Sequence, residues 1–66
     1  MNIEIEREED GRWIADVPDL PGVMAYGQSK EEAVSKVKAV ALRALADRLE
    51  CGEEIPKLRS VFAVPA

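Results

Sequence analysis

The chain has 66 residues, one cysteine and no histidine, and thirteen acidic against nine basic side chains give a formal charge of −4. A lone thiol excludes an internal disulfide, and without histidine an ordinary zinc site and every Ser–His or Cys–His nucleophile fall away too. An apolar fraction of 47% and a charged fraction of 33% suit a single folded domain over residues 1–66 and rule out a disordered chain.

The first element in chain order is a strand over residues 2–8. Ile3 and Ile5 point one way and Glu4, Glu6 and Glu8 the other, the period of a half-buried strand with a solvated acidic face. Asp10-Gly11 marks a turn. Trp13, Ala15 and Val17 then alternate with Arg12, Ile14 and Asp16, completing a hairpin over residues 2–17. Pro18-Asp19-Leu20-Pro21-Gly22 ends that strand, because two prolines and a glycine cannot continue a ladder. A short third strand over Val23–Gly27 closes a three-stranded meander.

One long helix follows, predicted over residues 29–51. Ser29-Lys30-Glu31-Glu32 reads as a capping box, with the Ser29 hydroxyl accepting from the Glu32 N–H and Glu32 reaching back to the Ser29 N–H. Ala33, Val34, Val37, Val40, Ala41, Ala44 and Leu45 share one arc, and Glu32–Lys36 and Arg43–Asp47 are spaced for pairing on the other side. Leu42 and Leu49 sit at the edges of the arc and Ala39 and Ala46 beyond it, available to a second burial surface. Gly52 supplies the stop as the residue after the cap. Leu58–Val64, apolar on both faces, reads as a fourth strand, central or at an interface. A right-handed return would place it beside the first strand. The expected fold is α+β: βββαβ, a four-stranded sheet in the order 3-2-1-4 with one helix on one face.

That architecture leaves one sheet face bare, and so small a chain buries only about 60% of the surface its unfolded form exposes. With disulfide and zinc excluded, self-association is expected, as a homodimer or a higher homo-oligomer. The acidic balance repels phosphate, so direct nucleic-acid binding is not expected and a basic protein partner suits better. No apolar run reaches the roughly 18–20 residues of a membrane span, and the acidic, alternating amino terminus is no signal peptide, which predicts a cytoplasmic protein.

Little here supports catalysis. Glu4, Glu6 and Glu8 share a face but form a straight ladder; a magnesium site needs carboxylates converging in a cleft, whereas a ladder serves as a solvated face that blocks aggregation. No glycine-rich phosphate loop occurs. No catalytic residue, cofactor or metal is expected, and the chain is predicted not to be an enzyme. Cys51 reads as a packing residue rather than a reactive thiol, since a helix C-terminus has the wrong dipole sign to activate it. Trp13 and Tyr26 are candidate anchors for a partner, although Trp13 can equally fill the space between sheet and helix. Pro18–Gly22 either presents a rigid recognition loop or only terminates a strand.

Three blocks in order carry a family resemblance. Trp13-Ile14-Ala15-Asp16-Val17-Pro18-Asp19-Leu20-Pro21-Gly22 follows W-x-A-x-x-P-x-L-P-G; Gly27-Gln28-Ser29-Lys30-Glu31-Glu32-Ala33 follows G-x-[ST]-x-E-E-A; Gly52-Glu53-Glu54-Ile55-Pro56 follows G-x-x-I-P. Over residues 2–65 the chain resembles HicB-like antitoxins of type II toxin–antitoxin systems. The resemblance implies a partial RNase H-like βββαβ fold without the catalytic carboxylates. It also implies dimerisation, and a small basic HicA toxin, an mRNA interferase, as the partner whose active site is blocked. Carried over by position, it makes the loop of Pro18, Asp19, Leu20, Pro21 and Gly22, with the neighbouring sheet, the toxin-facing region, to which Trp13 and Tyr26 are added as the candidate partner-binding anchors. Many members carry a carboxy-terminal DNA-binding segment; this sequence resembles a short form without one. The competing expectation is an orphan homo-oligomeric binding module with no toxin partner.

Overall fold

A computed structural model describes residues 1–65. Its elements are β1 (Glu4–Arg7), β2 (Trp13–Asp16), β3 (Met24–Gly27), α1 (Lys30–Glu50) and a 3-10 turn at Pro56–Leu58. The strands form one antiparallel sheet in the order β1-β2-β3. Glu4 lies opposite Asp16 and Arg7 opposite Trp13, while Trp13 lies opposite Gly27 and Asp16 opposite Met24.

The local signals act as the residues dictate. Gly11 takes φ +89° and donates its N–H to the Glu8 carbonyl, closing the hairpin turn. Pro18–Gly22 folds into a tight loop in which the Val17 N–H donates to Val23, Leu20 to Val17 and Val23 to Leu20. Gly22, at φ +83°, allows that reversal, and Leu20 turns inward to become a core residue. Ser29 caps α1, its Oγ accepting from the Glu32 N–H at 3.1 Å. The Glu32 carboxylate, however, accepts from the Gln28 N–H at 3.1 Å and not from Ser29; it also holds Lys36 at 3.2 Å. The expected Arg43–Asp47 pair does not form. At the far end the Glu53 N–H donates to Arg48 and the Gly52 N–H to Leu49, a Schellman motif with Gly52 at φ +82°.

Alternation along β2 turns Trp13, Ala15 and Val17 toward α1 and leaves Ile14 and Asp16 on the open side. The core consists of Ala15, Val17, Leu20, Val23, Ala33, Val37, Ala41 and Leu45. Its small side chains let helix and sheet approach closely. A Cβ added at Gly27 would lie 2.5 Å from the Ala33 backbone nitrogen, so the first turn of α1 rests directly on the end of β3.

Two expectations are corrected. First, no fourth strand forms among the described residues: the sheet has three strands, and the order 3-2-1-4 reduces to 3-2-1. Pro56 opens a turn instead, and the N–H groups of Leu58, Arg59, Val61 and Phe62 donate to carbonyls three or four residues back, leaving none of them for a ladder. Lys57 binds Asp19 of the β2–β3 loop and Arg59 binds Glu54, which fixes the segment where it turns. Second, Cys51 is exposed rather than packed. The reason is length: 21 helical residues span about 31 Å, whereas four-residue strands span about 13 Å, so the last turns of α1 overhang the sheet.

Candidate functional site

With α1 on one side, the opposite face of the sheet has no cover among the described residues. It carries Glu4 and Glu6 from β1, Ile14 and Asp16 from β2, and Met24 and Tyr26 from β3, all brought to one side by the period of two and the register. Glu4, Glu6, Ile14, Asp16 and Met24 line a shallow concavity. Met24 is 49% exposed and Tyr26 41%, an unusual exposure for large apolar side chains of a sheet.

The electrostatics of this face are uneven. Glu4 stands directly opposite Asp16, and like charges in that position destabilise a pair of strands. None of Glu4, Glu6 and Asp16 has an ion-pair partner among the described residues, whose four pairs lie elsewhere. At the other end the Arg12 guanidinium stacks over Tyr26, 4.6 Å from the ring centroid, while its Nε holds Asp10 at 2.7 Å. The Arg12 backbone N–H and guanidinium lower the Asp10 pKa from its ordinary 3.8. The result is an apolar centre framed by three free carboxylates, with one fixed cation at the rim. It can receive an apolar side chain surrounded by basic ones.

The seven residues expected to bind a partner do not share this face. Tyr26 lies on it. Trp13 is on the helix side, half-buried against the core, with the Arg7 guanidinium 5.7 Å from its ring. Leu20 is a buried core residue. Pro18, Asp19, Pro21 and Gly22 are exposed at the end of the sheet beyond β2. Asp19 there binds Lys57, whose hydrogen bond and charge lower its pKa from the ordinary 3.8. Glu4, Glu6, Ile14, Asp16 and Met24 were missed as a group. Their signal was present in the alternation, but Asp16 joins the Glu4–Glu6 ladder only through the hairpin register.

No group of three or more Asp, Glu or Cys side chains among the described residues is arranged to hold a metal ion, and no helix there is long and apolar enough to cross a membrane. The family model described as "HicB_like antitoxin of bacterial toxin-antitoxin system" matches residues 1–65. The chain is also 39% identical over 54 residues to UPF0150 protein Ta0767 of Thermoplasma acidophilum, a span of 80% of this chain and 77% of that protein. Among solved structures there is no match.

Proposed function

The chain belongs to the HicB-like antitoxin family, and on that premise we propose that it neutralises a small basic HicA-type mRNA interferase by covering it with the open face of the sheet. The reading rests on one observation: three carboxylates without ion partners among the described residues surround Ile14 and Met24 on a face that none of those residues covers. An RNA-cleaving protein presents cations where it holds phosphate, and an acidic surface with an apolar centre complements such a site in both charge and contact. Tyr26 and the exposed residues of the Pro18–Gly22 loop flank the contact. The antitoxin acts by occlusion in the cytosol; no step of bond making or breaking occurs on this chain, and no cofactor enters.

The test is co-expression with a small basic protein of the HicA type. The wild type is expected to restore growth and co-purify with that protein. Glu4→Lys/Glu6→Lys/Asp16→Lys is expected to fail at both, with affinity lowered at least about 100-fold. Asp47→Lys, on the exposed side of α1, changes charge without touching the face and should behave as wild type. A triple variant that rescues as well as the wild type overturns the reading.

A further inference from the structure

We infer that the free edge of β1 takes up, antiparallel, a short extended segment of a protein partner in which basic residues alternate with apolar ones. It rests on the antitoxin reading for its donor, the basic partner of the sheet face. The first support is the phase of the ladder. The Glu8 N–H donates to the Arg12 carbonyl, and these two stand opposite each other in the register that pairs Arg7 with Trp13. Bonded and non-bonded pairs alternate along an antiparallel ladder, so Glu6 exchanges bonds with Ile14 and Glu4 with Asp16. Ile5 and Arg7 fall between them, and their N–H and C=O groups point away from β2. β1 is an edge strand, and no hydrogen bond from the turns and loops of the described residues reaches Ile5 or Arg7. A row of unpaired backbone groups of this kind is a template for a further strand.

The two sides of β1 specify what that strand carries. α1 packs on β3 and β2, which leaves the inner side of the sheet beside β1 open. There Ile3, Val17, Ala41, Leu42 and Leu45 line an apolar concavity in which Lys38 is the one charged side chain. On the other side stand Glu4 and Glu6, with Asp16 opposite Glu4 and no ion pair to any of the three among the described residues. Side chains of a strand alternate between the two faces. A strand laid against β1 therefore sets every second residue over the concavity and the residues between beside the carboxylates. Apolar side chains suit the first set, and lysine or arginine the second.

Other occupants fit less well. A second β1 laid antiparallel about Ile5 would set Glu4 and Glu6 against Glu6 and Glu4, and like charges directly opposite destabilise a pair. The N–H groups of Leu58, Arg59, Val61 and Phe62 are committed to their own turns, and Lys57–Asp19 and Arg59–Glu54 hold that segment in place. The outer edge of β3 lacks the same combination, because α1 packs against its inner side.

The test uses the full chain, isotope-labelled for NMR, and a capped synthetic peptide of about seven residues in which valine alternates with lysine. Saturating peptide is expected to slow amide exchange of Ile5 and Arg7 at least about tenfold, with little change at Glu4 and Glu6, already bonded to β2. In the antiparallel register the valines lie opposite Ile5 and Arg7 and make the backbone bonds. N-methylating the valines should raise Kd at least about 30-fold, and N-methylating the lysines less than about three-fold. Glutamate in place of lysine should abolish binding. Leu42→Lys, at a position 65% exposed, should raise Kd about tenfold and leave the circular dichroism spectrum unchanged. A saturating peptide that leaves Ile5 and Arg7 exchanging freely overturns the proposal. So does binding indifferent to methylation of the valines, which would be charge alone on the open face. Sensitivity to methylation of the lysines instead overturns the antiparallel direction. Slow exchange of both amides without peptide would mean that a second copy or residues 58–64 already hold the edge, and overturns it as well. Growth rescue reports the antitoxin role and amide exchange reports the edge, so each can fail without the other.

Discussion

Residues 1–45 and the residues that follow them are comparably apolar, yet they fold under different conditions. Every buried core residue lies at or before Leu45; beyond it Leu49, Val61, Phe62 and Val64 remain in solvent. The difference is the presence of a facing layer. Up to Leu45 the inward apolar side chains of α1, Ala33, Val37, Ala41 and Leu45, pack in the core with Ala15, Val17, Leu20 and Val23, whereas past it the helix has outrun the sheet and only the turns after Pro56 lie beside it. Apolar content alone does not make a core, which needs two surfaces at packing distance.

The comparison can be broken by mutation, most sharply at its extremes. Leu20→Ala should cost about 2–5 kcal/mol in urea unfolding at high dilution, since it empties a closed site at the end of the sheet. Phe62→Ala under the same conditions should cost less than about 0.5 kcal/mol. Equal losses at the two positions would mean that the second region is packed after all.

Salt tests the open sheet face as a charged binding surface. Raising the concentration from about 0.05 to 0.5 M should weaken capture of the basic partner on the sheet face by roughly tenfold.

Smaller effects report on the borders of the regions. Ser29→Ala removes the side-chain cap of α1 and should lower stability by about 1 kcal/mol in thermal unfolding. The smallest change is with pH. Lys57 lowers the pKa of Asp19, and the Gln28 N–H, then Lys36, lower that of Glu32. Because the folded values lie below the ordinary 3.8 and 4.5, the stabilisation is complete above the ordinary values and is lost as pH falls through the lower, folded ones. The unfolding midpoint should therefore stay flat from about pH 8 to 5 and decline only in more acidic solution. Lys57→Met should remove the Asp19 part of that decline and release the post-helix turn from the β2–β3 loop.

How much was legible depended on the range of the forces involved. The Asp10-Gly11 turn, the Pro18–Gly22 reversal, the Ser29 cap and the Gly52 stop all rest on bonds within about five residues, and each is where the sequence places it. The alternation of Trp13, Ala15 and Val17 likewise assigned the two faces of β2. Leu58–Val64 was misread because a run apolar on both sides suits a buried strand and a local turn against a helix equally. Pro56 and the two ion pairs decide between them, and one of those pairs reaches 38 residues back to Asp19. The candidate site was half legible: Tyr26 and the loop were in view, but Trp13 and Leu20 went to the core.

By itself, then, the sequence determined the family, the hairpin, the loop, the helix with both its caps, and the absence of histidine chemistry from a chain of 66 residues. Those are properties of composition and of near neighbours. Only the tertiary structure decided that Asp16 stands against Glu4, that α1 overhangs the sheet, and that the last apolar residues lie along its outer side. These follow from strand register and from the relative lengths of distant elements, quantities that no local pattern carries.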